Sequence, residues 1–208
     1  MLKFINRLNK FTTQNILSPS YTPQYYFSKM EKKLYGPTEL EDLLRELKIE
    51  YLMHEHEPVR TLDDMKQKIT LKHAPLIKNI FTKDKKKNGC FLISAHHATQ
   101  VGKAFYKKIG TTYGNCRMAD EKTLDETLGV KPGQVTPFAL INDHNHNVRR
   151  FVLDANLMKE EWLSFHPMIH TKTVEIKRTD FFKFLDKLEI TPEILDLSEE
   201  EEEVKTQE

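Results

Sequence analysis

The sequence has few of the residues that mark disulfide-rich, metal-binding or membrane proteins. Its two cysteines, Cys90 and Cys116, are far apart and in dissimilar settings. This excludes a disulfide framework and a cysteine zinc site, and it favours a reducing compartment. No apolar run approaches the roughly 18 residues that a membrane-spanning helix needs, so we expect no membrane partner. A glycine-rich phosphate loop of the P-loop or dinucleotide-binding kind is also missing, and we expect no cofactor.

Length and composition predict one folded domain between two tails. The 208 residues are 38% apolar and 30% charged, with a formal net charge of +1, which suits one ordinary core. We expect an N-terminal extension at residues 1–33, the domain at 34–197 and a disordered tail of mutually repelling glutamates at 198–208. The extension is basic and has no acidic residue before Glu31, which is typical of an organelle transit peptide. A disordered extension is the alternative, so the expected location is cytoplasmic or mitochondrial.

Apolar periodicity and turn residues predict an α+β fold, with strands in hairpins and interspersed helices. Thr38 and Glu41 form a capping-box pattern that predicts a helix start, and Asp120 and Gly129 predict the start and end of another helix. Two hairpins are predicted, from LIKNIFTKDKKKNGCFLISA with its Asn88-Gly89 turn and from TPFALIND followed by VRRFVLDA. The other predicted strands are EYLMHEH and TKTVEI, and the other predicted helices are TLDDMKQKI, VGKAFYKKIG and TDFFKFLDKL.

Two histidine clusters are similar to metal sites but lack a complete ligand set. His96 and His97 are adjacent, and Asp143, His144 and His146 lie in the predicted turn of the second hairpin, where both imidazoles of the turn would face water. The spacing fixes no third soft ligand, and we expect no metal. Both cysteines lie in apolar, strand-like runs without a histidine neighbour, so we expect buried, inert thiols.

The stretch GVKPGQVTPFALIND, residues 129–143, places two glycines and two prolines directly before a predicted apolar strand. Gly133 permits a sharp turn and a close approach of a ligand to the main chain. Successive N–H groups in such a turn can bind an anion or a developing oxyanion, and Thr136 adds a hydroxyl at the end of the loop. A plain tight connection between helix and strand is the commoner explanation of such a loop.

Lys78 and His166 are two further candidates for functional side chains. In a strand, Lys78 points with Leu76 and Ile80, so this face is either open to solvent or part of a polar pocket. The sequence alone favours an exposed edge. His166 precedes Pro167 at a bend, and a lone histidine in an apolar setting is more often structural than functional.

Four motifs carry a resemblance to a known family: PLIKNIF…KD, GVKPGQVTPFALIND, VLDANL and FHPMIHTKTV. In order and spacing, over about residues 36–190, they resemble the YbaK/ProX family of aminoacyl-tRNA editing domains associated with prolyl-tRNA synthetase. The resemblance implies a mixed, mostly antiparallel, barrel-like sheet surrounded by helices. The free-standing arrangement is similar to the trans-editing type, which hydrolyses alanine wrongly attached to proline tRNA. Such an ester hydrolysis needs no catalytic triad.

The resemblance also implies which residues act. Lys78 matches the signature lysine that engages the terminal phosphate and ribose of the tRNA, and His166 matches the histidine of the FHP bend. The residues implied as catalytic are Lys78, Asn79, Gly133, Thr136 and His166, and those implied as substrate-binding are Val59, Val135 and Pro137. The implied partners are the 3′ aminoacyl end and acceptor stem of tRNA, and prolyl-tRNA synthetase.

Departures from the family pattern at Arg60, His170 and Lys172 fall near the expected pocket wall and bear on the amino acid that is recognised. The alternative to an editing enzyme is therefore a non-catalytic module of the same fold that binds tRNA or a synthetase.

A basic turn follows Lys78 closely in the sequence. We predict that it binds nucleic acid, with a solvated surface turn as the alternative. Its residues are Lys83, Lys85, Lys86 and Lys87.

Overall fold

The computed structural model describes residues 33–59, 61–86 and 89–198, and of Leu62 only the backbone. The parts of the chain outside the described residues are most of the predicted N-terminal extension, the acidic tail beyond residue 198, Arg60, Lys87 and Asn88. The predicted domain boundaries and the transit peptide therefore stay predictions.

Short strands and helices alternate along the described chain. The strands are β1 Tyr51–Glu55, β2 Ile77–Asp84, β3 Gly89–His96, β4 Cys116–Met118, β5 Val148–Asp154, β6 Trp162–Phe165, β7 Lys172–Lys177 and β8 Glu193–Leu195. The α-helices are α1 Pro37–Glu46, α2 Leu62–Lys68, α3 Lys103–Lys108, α4 Glu121–Leu128 and α5 Arg178–Lys187. Two 3₁₀ helices span Pro137–Asn142 and Ala155–Lys159.

The strands form two sheets, which confirms the predicted α+β class. One sheet has three antiparallel strands in the order β1-β7-β6, and the other has five strands in the order β4-β2-β3-β5-β8. Strand β5 pairs in parallel with β3 and with β8, whereas β2 pairs antiparallel with β3 and β4. The arrangement is thus mixed and mostly antiparallel, as predicted. Within the described residues no pairing closes either sheet into a barrel.

The predicted helix α4 and the first hairpin are confirmed. The side chain of Asp120 accepts a hydrogen bond from the backbone N–H of Thr123 and caps α4, and Gly129 ends that helix with a φ of 63°. Glycine is favoured there because a Cβ atom is strained in the left-handed region. Strands β2 and β3 pair along their whole lengths, and Lys78 lies opposite Ala95.

The first helix starts earlier than its predicted capping box at Thr38 and Glu41 implies. The N-cap is Gly36, and Pro37 occupies the first helical position. The carboxylate of Glu39 accepts a hydrogen bond of 2.9 Å from the backbone N–H of Gly36. Proline needs no N–H partner at the first helical position, and so it moves the helix start forward.

The predicted strand TPFALIND and its hairpin with β5 are wrong. Residues Pro137–Asn142 form a 3₁₀ helix, capped by the Thr136 hydroxyl, which accepts a hydrogen bond of 3.4 Å from the N–H of Phe138. All six residues of this helix are buried. A run that is buried all round has no polar–apolar alternation, so its period cannot distinguish a strand from a helix.

The 3₁₀ helix lies in the main core and anchors the loop that precedes it. The ring of Phe138 is fully buried and makes edge contacts with Phe165, Phe181 and Phe184, with centroid distances of 5.7, 6.2 and 5.2 Å. Aromatic pairs of this kind add to the stabilisation from burial. The Gly-Pro loop is therefore followed directly by a helix that is anchored in the aromatic part of the core.

Candidate active site

A cavity of about 330 Å³ opens where β2, α2, β4 and the Gly-Pro loop meet. Five of the predicted site residues line it, namely Lys78, Asn79, Gly133, Val135 and His166. The remaining lining residues are Thr61, Met65, Ile77, Phe81, Met118, Ala119, Leu124 and Pro132. Residues far apart in the sequence thus meet around one cavity with polar groups on an apolar wall, the usual form of a small-molecule site.

Lys78 lies at the cavity rather than on an exposed strand edge, in contrast to the expectation from sequence alone. It is half-buried, and its Nζ donates a hydrogen bond of 2.7 Å to the backbone carbonyl of Thr99. Burial lowers the pKa of Lys78 below its ordinary value, and the positive charge of Lys66 lowers it further. Two of the three ammonium N–H groups are left for a ligand.

A buried carboxylate holds the loop that binds this ammonium. Asp154 is fully buried, and its Oδ2 accepts hydrogen bonds from the Thr99 hydroxyl at 2.6 Å and from the His96 N–H at 3.2 Å. Its Oδ1 accepts a third bond, of 3.0 Å, from the N–H of Asn156. The carboxylate thereby fixes the Thr99 carbonyl without neutralising Lys78.

The amide of Asn79 is oriented by its cross-strand neighbour. Ser94 lies opposite Asn79 in the β2–β3 pair and its hydroxyl donates a hydrogen bond of 2.7 Å to Asn79 Oδ1. With Oδ1 in use as an acceptor, the Nδ2 group is the free donor, and no described residue accepts a bond from it. Asn79 therefore presents N–H groups to the cavity.

The loop Lys131–Gln134 has the geometry that its sequence predicts. The N–H of Gln134 donates to the carbonyl of Lys131 at 3.0 Å, and Gly133 has a φ of 86°. Pro132 followed by a glycine with positive φ is the signature of a type II turn. None of the described residues accepts a hydrogen bond from the Gly133 N–H, so this donor is available at the cavity.

His166 is 7% exposed, and the hydrogen bonds of its ring define its tautomer. Nδ1 lies 3.0 Å from the carbonyl oxygen of Lys172, which can only accept a hydrogen bond, so Nδ1 carries the proton. Burial lowers the pKa of His166, against the raising effect of that carbonyl and with smaller lowering effects of His56 and His170. The neutral ring then has its lone pair on Nε2, to which no described residue bonds.

The sequence that carries this site is similar to known proteins. Residues 56–184 match the family model described as an aminoacyl-tRNA editing domain. The chain belongs to the aminoacyl-tRNA editing domain family. The resemblance read from the motifs is confirmed, and membership assigns the chain a role in aminoacyl-tRNA editing, with tRNA as the class of substrate.

Relatives of this editing domain include animal and bacterial proteins. It is 37% identical over 160 residues to prolyl-tRNA synthetase associated domain-containing protein 1 of Xenopus laevis, covering 76% of this chain and 94% of that protein. It is 33% identical over 144 residues to the prolyl-tRNA editing protein ProX of Acetoanaerobium sticklandii, covering 68% of this chain and 85% of that one. A solved structure described provisionally as a trans-editing enzyme for prolyl tRNA synthetase has a TM-score of 0.57 and 16% identity, over 81% of this chain and 100% of that chain, which shows a shared fold.

Three of the predicted site residues lie away from the lining of the editing-domain cavity. Thr136 is fully buried and its hydroxyl caps the 3₁₀ helix, and Pro137 begins that helix in the core. Val59 is also buried, and its N–H donates to the carbonyl of His170 at 3.1 Å. Their observed contacts hold the walls in place, and their predicted roles towards the substrate stay predictions.

The departures from the family pattern have different surroundings. His170 reaches the Gly-Pro loop, where the Gln134 Nε2 lies 3.3 Å from His170 Nδ1. The side chain of Lys172 instead lies 3.3 Å from the Glu55 carboxylate. His170 therefore contacts the loop that lines the cavity, and Lys172 pairs with a neighbouring strand. Arg60 lies outside the described residues.

The basic turn is exposed and shares a strand face with the cavity. Lys83, Lys85 and Lys86 are exposed, and Lys87 lies outside the described residues. Side chains two apart in a strand share a face, so Lys83 lies on the face of Asn79 and Phe81, about 13 Å along the strand from Asn79. This placement is compatible with the predicted contact to nucleic acid.

Some residues of the site were missed by sequence reasoning. Met65 on α2 and Met118 on β4 line the cavity, and Thr99 and Asp154 hold Lys78. Asp154 could have been predicted from the sequence, because it belongs to VLDANL, one of the four family motifs, and because it follows an apolar strand. The two methionines carried no such signal.

The cysteines and the histidines of the second predicted turn do not belong to the lining of the cavity. Both cysteines are buried free thiols, and burial raises the pKa of each, which suits inert thiols. His144 and His146 are exposed. Over the described ranges, no group of three or more His, Cys, Asp or Glu side chains is arranged to hold a metal ion. In the same part of the chain, no helix is long and apolar enough to cross a membrane.

Proposed function

We propose that the chain is a free-standing aminoacyl-tRNA deacylase that acts in trans, and that its substrate is alanine esterified to proline tRNA. One observation carries the proposal: the cavity unites an ammonium, a carboxamide donor, a backbone N–H for which no described residue is an acceptor, and a neutral imidazole. These groups belong to Lys78, Asn79, Gly133 and His166. These groups suit the hydrolysis of an ester that lies close to a phosphate better than they suit a metal- or thiol-dependent reaction.

The proposed reaction is hydrolysis of the ester between the amino acid and the terminal ribose. Water adds to the carbonyl carbon, the bond from that carbon to the ribose oxygen breaks, and the ribose oxygen takes up a proton. The carbonyl oxygen becomes an oxyanion in the transition state, and the donors of Asn79 and Gly133 would stabilise it. Lys78 would hold the terminal phosphate and ribose, and His166 Nε2 would accept a hydrogen bond from the attacking water or the neighbouring ribose hydroxyl.

Alanine specificity is supported by the apolar part of the cavity wall. Ile77, Phe81 and Val135 lie beside the polar groups, and a small apolar subsite accepts a methyl group but excludes the proline ring by its size. Steric exclusion of the larger proline side chain discriminates better than a difference in apolar contacts, because one methylene more or less changes binding by only about 1–3 kcal/mol. The names of the relatives, which refer to prolyl-tRNA synthetase and to prolyl-tRNA editing, favour the same tRNA and suggest the synthetase as a partner.

A binding module without catalysis is the second candidate. It is favoured by His170, which departs from the family pattern and contacts Gln134 in the cavity loop. Such a module would bind aminoacyl-tRNA or a synthetase through the same cavity and basic turn and leave the ester intact.

One experiment separates the two functions. The purified full chain is mixed with proline tRNA charged with alanine, with proline tRNA charged with proline, and with alanine tRNA charged with alanine. We expect fast loss of alanine from proline tRNA and little loss of proline. Comparable hydrolysis of prolyl-tRNA would refute the specificity. Binding of all three without hydrolysis above the spontaneous rate would favour the module.

A further inference from the structure

A line of hydrogen bonds connects the cavity histidine to a second histidine at the domain surface. His166 Nδ1 lies 3.4 Å from Thr173 Oγ1, and Thr173 Oγ1 lies 2.9 Å from His56 Nε2. At the far end, His56 Nδ1 lies 2.9 Å from the carbonyl oxygen of Glu57. The two rings are 6.2 Å apart between centroids, and the Thr173 hydroxyl lies within hydrogen-bond distance of both.

Two carbonyl oxygens determine the direction of the hydrogen bonds at the two Nδ1 atoms in this line. Glu57 O and Lys172 O can only accept, so Nδ1 of His56 and Nδ1 of His166 both carry protons. A neutral His56 then has its lone pair on Nε2, which accepts the Thr173 hydroxyl proton. The Thr173 oxygen is left to accept a second, weaker bond from His166 Nδ1, which is shared with Lys172 O.

We propose that Thr173 and His56 are positioning residues that hold His166 with its proton on Nδ1, so that Nε2 faces the cavity as a hydrogen-bond acceptor. The catalytic role of the Nε2 acceptor rests on the proposed function. The assignment of the proton to Nδ1 does not depend on that function. A histidine with the proton on Nε2 would present a donor to the cavity and could not accept the proton of an attacking water. The tautomer therefore decides which chemistry the ring can perform.

The support for this line is built into the three-stranded sheet. Thr173 lies on β7 opposite His54 of β1 and is almost fully buried. The backbone N–H of His56 donates to the carbonyl of Thr171 at 3.0 Å, which extends the strand pairing to the residue that carries the ring. Groups placed on paired strands keep their geometry better than groups on loops.

The first test is nuclear magnetic resonance of the histidine rings in the ¹⁵N-labelled full chain. Two-bond ¹⁵N–¹H correlations distinguish the two neutral tautomers, and the His166→Gln variant assigns the signals. In wild type we expect His166 with Nδ1 protonated. In Thr173→Val we expect a mixture of tautomers, whereas Thr173→Ser keeps the wild-type pattern. Thr171→Val, the same change two residues away, is the matched control.

A second pair of variants tests the distal histidine. His56→Gln keeps an acceptor for the Thr173 hydroxyl, whereas His56→Leu removes it, so only the leucine variant should shift the His166 tautomer. A wild-type ring protonated on Nε2 would overturn the proposal. An unchanged His166 tautomer in a folded Thr173→Val protein would also overturn it, since the Lys172 carbonyl would then suffice.

The third readout is hydrolysis, measured as separate effects on kcat and KM. Thr173→Val should lower kcat about tenfold with little change in KM, because it disorders an acceptor without removing substrate contacts, and Thr173→Ser should restore it. A change in KM with an unaltered kcat, or no change in either constant, would overturn the positioning role. If the wild-type protein does not hydrolyse any charged tRNA, the proposed function is wrong. The proposed effect of Thr173 and His56 on the His166 tautomer is then still tested by the nuclear magnetic resonance measurements.

Discussion

The side-chain Nζ of Lys78 donates a 2.7 Å hydrogen bond to the backbone carbonyl of Thr99, so its observed partner is neutral. No carboxylate of the described residues lies within ion-pair distance of this ammonium. A lysine that is fixed in direction and not neutralised keeps its full charge for an anion. This relationship explains how an apolar strand accommodates a lysine, and it leads to the first prediction.

Lys78→Ala should lower single-turnover deacylation of alanyl-tRNA by roughly ten- to a thousand-fold, the scale expected for loss of one desolvated charged contact. The fold should survive, since the substitution leaves no buried charge without a partner. Lys78→Arg should rescue poorly because a planar guanidinium does not replace a compact ammonium. Lys183→Ala, which changes an exposed lysine on α5, is the control. Circular dichroism checks folding, and a folded Lys78→Ala protein with full activity would contradict the assignment.

Replacement of Lys83, Lys85 and Lys86 by glutamine should weaken tRNA binding and flatten its dependence on salt. Each lysine that neutralises a phosphate contributes nearly one unit to the slope of log affinity against log salt, so the slope should fall by roughly two to three units. The measurement is a binding titration at several salt concentrations. A control triple variant of equal charge change, at Lys48, Lys183 and Lys187, should leave the slope unaltered. Equal slopes for wild type and the turn variant would show that the turn is merely solvated.

Enzyme-dependent hydrolysis should have a bell-shaped pH profile with shifted limbs. Burial lowers the pKa of His166 despite the Lys172 carbonyl, with His56 and His170 adding to the lowering. The imidazole thus stays neutral to lower pH than an ordinary histidine, and the acid limb should lie below about pH 6.5. Burial and Lys66 lower the pKa of Lys78, so the alkaline limb should begin below about pH 10.4.

The rates for this profile are taken after subtraction of spontaneous ester hydrolysis. In Lys78→Arg the residual activity should lack the alkaline limb, because guanidinium stays charged throughout. An acid limb at or above pH 6.5 in wild type would contradict the neutral, buried His166.

Glu175→Gln should lower the free energy of unfolding by about 3 kcal/mol, since buried N–H groups lose a charged acceptor. Glu175 is fully buried and accepts bonds of 2.7 Å from the N–H groups of Lys72, His73 and Ala74. His54 Nε2 also lies 2.6 Å from its carboxylate. Urea denaturation at pH 7 measures the change, with exposed Glu126→Gln as the control.

The acid stability of the same pair of proteins gives a second check on Glu175. Burial acts to raise its pKa, but the three backbone N–H groups and His54 outweigh this and hold the pKa below its ordinary value. A lowered pKa contributes stability above the unfolded value of about 4.3, and this stability is lost as the pH falls through the folded value. Wild type should therefore lose more stability than Glu175→Gln between pH 5 and pH 3. An equal loss of stability in the two proteins over this pH range would show that the Glu175 carboxylate does not stabilise the fold through a lowered pKa.

Local interactions make several elements predictable from the amino-acid sequence. The helix α4 is predictable at both ends because Asp120 and Gly129 act through bonds and dihedral angles within one turn. The β2–β3 hairpin is predictable because two strand-like runs flank a short polar turn. The Pro132-Gly133 turn follows in the same way, since proline and glycine restrict or permit φ by their own covalent structure.

The sequence by itself determined the α+β class, the family and five of the residues that meet at the cavity, because motifs of distinctive order carry that information together. Tertiary structure alone decided the rest. The run after Thr136 is a 3₁₀ helix that is buried on every side, among aromatic rings from distant segments, so its apolar pattern could not reveal its conformation. Lys78 lies at a cavity, where its Nζ donates to the Thr99 carbonyl, and the Thr99 hydroxyl is bound by Asp154, 76 positions after Lys78 in the chain. Strand pairing likewise brings the Thr173 hydroxyl to 3.4 Å from His166 Nδ1 and to 2.9 Å from His56 Nε2, and no local rule specifies this pairing.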